Sequence, residues 1–173
     1  MNFLRLSEGV TSMTYVSSSD VLHRLIYSST FSPRFPTECH QQDQEIASIV
    51  QTSILNNSKL GLTGLLLAHQ NWFLQVLEGP ADKLMTCYGV IVSDSRHVDL
   101  TLMTAGPIPR RDFHNWDMCA RRLSKANDTI LKTLGVKGLF SPRALNIENA
   151  LKLLMAVRAI HSRLEPDPSE VLI

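Results

Sequence analysis

Apolar and polar positions along this chain fall into two periods, one near 2 and one near 3.6, and the switches between them mark out its elements. Leu22 to Ser28 reads as a strand with Leu25 and Tyr27 on one face. Between Glu45 and Asn57 the residues Ile46, Ile49, Val50 and Ile54 recur at helical spacing, with Ser53 among them. Asn57, eleven positions after Ile46, continues that stripe. Leu62 to Ala68 and Trp72 to Leu77 are apolar runs of strand length joined by the polar triplet His69-Gln70-Asn71, a hairpin pattern. Gly79-Pro80 ends its second strand, and Pro80 suits the first turn of a helix over Ala81 to about Ser95. Leu84, Tyr88 and Ile91, with Cys87 and Val92, form the apolar stripe of that helix. Val98 to Thr104 is a fourth strand, Pro107 and Pro109 break the chain, and a short strand is expected around Trp116 to Ala120.

The order β-α-β-β-α-β, with one further strand, is the ferredoxin-like arrangement of the α+β class, in which two helices pack side by side on one sheet face. A groove between two such helices can hold a planar ligand. From about Leu123 the chain turns helical. Asp128 to Leu134 suggests a short helix, and Asn146 can cap a longer one with apolar lines through Ile147, Leu151 and Leu154 and through Ala150, Leu153, Val157 and Ile160. That helix is apolar over too broad a surface to face water, so it is expected on the opposite sheet face or against another subunit. The expected division is a leader over 1–20, a domain over 21–122, and a helical extension and tail over 123–173.

Three polar residues stand on apolar faces. Gln75 shares its strand face with Phe73 and Leu77, Tyr27 shares one with Leu25, and Asn57 lies on the helical stripe. A buried amide or phenol needs partners. Those partners are either the protein's own groups, with Asn57 as a helix cap, or a single ligand on which all three converge.

Seventeen basic and sixteen acidic residues leave a formal charge of +1, which supplies no strong field for nucleic acid or an anionic membrane. Cys39, Cys87 and Cys119 form no CxxC and lie at no zinc-site spacing, so no metal is expected and a reducing compartment is the simplest inference. The first twenty residues lack a secretory core, and no run is long enough to span a bilayer, so a cytoplasmic location is expected.

The phrases RLIYSS, NNSKLGLTGLLL, FLQVLEGP, VSDSRH and RRDFHNWDM, in this order and spacing, resemble the BLUF domain, the family of sensors of blue light using FAD. The likeness runs from about Leu22 to Ala120. The segment after residue 123, with GLFSPRAL and NIENALKLLMAVRAI, resembles the C-terminal extension of short, single-domain members. The resemblance implies a blue-light photoreceptor with FAD as its cofactor. It assigns Tyr27 as the photoactive tyrosine that gives an electron and then a proton to the excited flavin. Gln75 matches the glutamine between that tyrosine and flavin N5 and O4. Asn57 matches the asparagine on the pyrimidine edge, with Asn56 beside it, and Ser29 matches a hydroxyl near the tyrosine. Ile49 and Val50 would line the ring, while Arg96 and His97 match positions close to the dinucleotide phosphates. Trp116 and Met118 match the pair on the last strand that exchange places near the glutamine, although plain core packing is the other reading of both.

Gly61 and Gly64 sit at a hairpin and not at a strand-to-helix phosphate turn, and no cyclase, phosphodiesterase, kinase or DNA-binding segment is visible. The chain is therefore expected to be no enzyme, and to signal through a partner protein or a change in homo-oligomeric assembly. A redox flavoprotein and a ferredoxin-like adaptor without cofactor are the alternatives.

Overall fold

The structure is a computed structural model that describes residues 21–34, 36–69, 71–113, 119–122 and 144–161. Its elements run β1 (Leu22–Phe31), α1 (Cys39–Leu60), β2 (Thr63–His69), β3 (Trp72–Pro80), α2 (Ala81–Ser93), β4 (His97–Pro107), β5 (Cys119–Arg122) and α3 (Ile147–His161). The strands form one sheet in the order β4-β1-β3-β2-β5. The first four pair antiparallel in the ferredoxin-like order, and β5 adds alongside β2 in parallel.

Side-chain alternation divides the core into two layers. Leu25, Tyr27, Phe73 and Leu77 pack with Ile46 and Ile49 of α1 and Leu84 of α2. Ile26, Leu65, Leu74 and Val76 pack on the other face against Ala150, Leu153, Leu154 and Val157 of α3. Both faces are covered, so β2 and β3 are buried at nearly every position and read as continuous apolar runs. The C-terminal helix thus lies opposite the first two, as its broad apolar surface requires. Its N-terminus is capped as expected: Asn149 N–H donates to Asn146 Oδ1 at 2.8 Å.

Several boundaries differ from the sequence pattern. β1 continues to Phe31, and α1 starts at Cys39, because the polar turn Cys39–Gln44 has no apolar period to announce it. At its other end α1 passes Asn57 and stops at Gly61, whose φ of 64° is left-handed. There Gly61 N–H donates to Ser58 O and Leu62 N–H to Asn57 O, the paired bonds of a Schellman turn. β5, described over Cys119–Arg122, runs two residues past the expected end at Ala120. Trp116, Met118, the leader over 1–20 and the short helix expected over Asp128 to Leu134 all lie outside the described residues.

Candidate functional site

The β1–β3 register sets Tyr27 directly opposite Gln75. Cross-strand partners share a face and lie close together, so the two side chains meet between the sheet and the helices. Tyr27 Oη donates to Gln75 Oε1 at 2.5 Å, and the residues are 1% and 3% exposed. They form the floor of a cleft of about 300 Å³ between α1 and α2. One wall is a single helical face of α1, Ile49, Ser53, Asn56, Asn57 and Leu60, with Thr52 and Lys59 toward the rim. The facing wall is Thr86, Cys87, Val90 and Ile91 of α2, and Asp94, Arg96 and His97 close one end.

Electrostatics follow from burial. The Tyr27 phenol is pushed well above its usual value, first by desolvation and then by neighbouring Cys87, Tyr88 and Asp94. The Cys87 thiol is pushed up to about 11 by burial. His97 lies against the Phe73 ring at 4.5 Å and near Tyr27 at 6.3 Å, and burial lowers its pKa to about 4 against the pull of Asp94. It is a neutral imidazole at physiological pH. Burial raises the Asp94 carboxyl, but hydrogen bonds and charge from Arg96 outweigh this and hold it below the usual value.

Arg96 is one of two cations in the lining, with Lys59, and its charge is already met. Its guanidinium binds Asp94 through Nε and Nη2, the latter at 2.6 Å, and Glu45 through Nη1 at 3.1 Å. An anion arriving there competes with two carboxylates, and His97 beside it adds no charge.

Of the residues singled out in the sequence, the cleft brings together Tyr27, Ile49, Asn56, Asn57, Gln75, Arg96 and His97. Val50 is not in its lining and packs instead against the apolar layer beneath. Ser29 lies one step behind the wall, with Oγ bonded to His97 Nδ1 at 2.8 Å. Trp116 and Met118 lie outside the described residues. Sequence reasoning missed Cys87, Ile91 and Asp94 as lining groups, although the stripe of α2 that carries Cys87 and Ile91 faces the stripe of α1 that carries Asn57.

These residues fit a flavin ring. The volume lies at the lower end for small-molecule sites, and the walls are largely apolar. Asn57 is 2% exposed, its Oδ1 accepts from Cys87, and its Nδ2 has no hydrogen-bond partner among the described residues. An amide donor left open at the edge of an apolar slot can be met by an acceptor on whatever fills it. Such a slot on a ferredoxin-like sheet defines a domain for a flat heterocyclic cofactor.

Comparison with known proteins says which one. The family model described as sensors of blue-light using FAD, BLUF, matches residues 22–119, and the chain belongs to that family. It is 30% identical over 97 residues to the photoactivated adenylate cyclase subunit alpha-like protein FB of Euglena gracilis, covering 56% of this chain but only 9% of that protein. The solved structure of the BlsA photo-activated state superposes with a TM-score of 0.68 at 24% identity, over 77% of this chain and 91% of that one. A bacterial light-regulated adenylyl cyclase matches with a TM-score of 0.58 at 27% identity, over 83% of this chain and 35% of that one. This chain is thus a blue-light sensor of the class that uses FAD, and in the cyclase relatives the likeness is confined to a part of the protein. Among the described residues no helix is long and apolar enough to cross a membrane.

Proposed function

We propose that this chain holds FAD in the α1–α2 cleft and registers blue light as a rearranged hydrogen bond between Tyr27 and Gln75. The observation that carries this reading is the buried 2.5 Å bond from Tyr27 Oη to Gln75 Oε1 at the cleft floor. Once excited, a bound flavin is a strong one-electron oxidant. Tyr27 is the donor in reach of the slot, and its Oη holds the proton that leaves with the electron. Burial disfavours a phenolate, so the phenol keeps its proton until it is oxidised. The Gln75 amide is nearly symmetric in shape and opposite in polarity at its two ends. Rotating or tautomerising it exchanges donor for acceptor without repacking Phe73 or Leu77.

Ile49 lines the ring, Asn57 and Asn56 bind its polar edge, and Ser29 orients His97. Arg96 lies on the phosphate side of the site and must exchange a carboxylate partner to bind phosphate. Trp116 and Met118 on the segment after β4 are assigned to passing the change onward. Residues 21–122 form the sensor and 123–173 the output extension. The chain itself is a sensor and not a catalyst, and it acts through a downstream protein or its own assembly. Ile147 and Met155, exposed apolar side chains on α3, favour self-association.

The test is spectroscopic. The purified protein is expected to be yellow, to shift slightly red under blue light and to recover in darkness. Tyr27→Phe and Gln75→Leu are each expected to keep the flavin and lose the shift. A normal light-minus-dark spectrum in either variant overturns the assignment, and turnover with a nicotinamide donor in darkness indicates a redox flavoprotein instead.

A further inference from the structure

Cys87 of α2 and Asn57 of α1 meet across the cleft. Cys87 Sγ donates to Asn57 Oδ1 at 3.3 Å, and the thiol is in no disulfide. Burial keeps it protonated, with a pKa of about 11. The two ends of a carboxamide are nearly equal in size, so packing alone does not choose which end faces the slot. A protonated thiol is a donor and only a weak acceptor. It therefore takes the oxygen and leaves the amide nitrogen on the cleft side, where Nδ2 has no partner among the described residues. The backbone of Asn57 is held independently, its carbonyl accepting from Leu62 N–H at 2.9 Å. Only the side-chain torsion is left to be decided.

We propose that Cys87 is a positioning residue that locks the Asn57 amide with its N–H bonds toward the cleft, so that the site accepts a heterocycle presenting a carbonyl oxygen at that edge. The inference rests on the flavin reading above and adds a determinant of ligand choice to it. A ring presenting a donor there meets another donor and is rejected, the ordinary basis of polar discrimination.

The test uses the full chain with Cys39 and Cys119 changed to Ser, leaving one thiol. Its infrared S–H stretch is expected at the position of a hydrogen-bonded thiol, and Asn57→Leu is expected to move it to that of a free one. Riboflavin binding, followed by fluorescence quenching, is then compared for Cys87→Ala and Cys87→Ser. Both substitutions remove the sulfur, but only serine restores a donor. Alanine is expected to weaken binding roughly fivefold, the worth of one ordinary hydrogen bond, and serine to stay within about twofold of the starting chain. Equal binding by the two variants, or an S–H band indifferent to Asn57→Leu, overturns the inference while leaving the flavin reading intact. Failure of the unaltered chain to bind riboflavin overturns both.

Discussion

His97 makes the acid stability of the flavin-free protein a measure of how the cleft end is packed. The imidazole is 7% exposed, lies against Phe73, and has its pKa lowered from 6.5 to about 4 chiefly by desolvation. In the unfolded chain the same ring takes up a proton near pH 6.5. Between these two values the unfolded state binds more protons than the folded one, so stability rises with pH across the window and falls on acidification. At about 1.4 kcal/mol per pH unit, the full passage from 6.5 down to 4 removes roughly 3 kcal/mol. Asp94, whose carboxyl is held below its ordinary value by Arg96, adds its own loss only at still lower pH. Urea midpoints measured from pH 7 to pH 4 for the unaltered chain and for His97→Gln separate the two effects, because glutamine cannot titrate. The unaltered chain is expected to lose the larger share by about 3 kcal/mol. Parallel pH profiles for the two proteins, or an NMR titration midpoint for His97 near 6.5, refute the reasoning.

Glu78 is fully buried and accepts from Arg24 Nε at 2.8 Å, Asp112 N–H at 2.8 Å and Phe113 N–H at 3.0 Å. Glu78→Ala leaves Arg24 with Asp112 as its remaining carboxylate and strands two amide donors, and is expected to lower urea-unfolding stability by about 3 kcal/mol; a loss below about 1 kcal/mol contradicts the network. A Cβ on Gly64 would stand 2.1 Å from the Val76 carbonyl oxygen, a backbone atom that cannot swing away. Gly64→Ala is accordingly expected to cost about 3 kcal/mol or more by thermal unfolding, through forced separation of β2 from β3.

Alternation along β3 was enough to place Gln75 with Phe73 and Leu77, and the two packed layers divide as that period requires. Alternation does not carry register. That Tyr27 falls opposite Gln75 depends on which strands become neighbours and at what offset, and this is decided by the whole sheet. Asn57 had two readings from sequence, helix end or ligand group. Its backbone carbonyl serves the turn at Gly61 while its side chain lines the cleft, so one residue occupies both places. The pairing of Arg96 with Asp94, two positions away, depends on a tight turn that brings the side chains back together. Glu78 gave no signal because its partners, the Arg24 guanidinium and the backbone N–H of Asp112, are distant in sequence. In a one-dimensional pattern it is simply a charge beside Leu77.

β3 serves both layers at once, and its anchoring bears on how the site can respond. Gln75 faces the cleft, whereas Leu74 and Val76 on either side of it pack toward α3. Three residues on, Glu78 ties the strand to Arg24 of β1 and to the backbone at Asp112 and Phe113. Arg111 clamps the same end, donating to Glu78 O, Thr63 Oγ1 and Gly61 O. Arg158 of α3 closes the set, bonding Asp112 O and lying 5.9 Å from the centre of the Phe113 ring. A strand paired on both edges, packed on both faces and held by buried charge at one end has little freedom to slide. Sliding by a single residue would exchange its two faces and bury Glu78 among the apolar groups under α1 and α2. A change at Gln75 is therefore restricted to the side chain, and exchanging the ends of an amide is a change such a strand can accommodate.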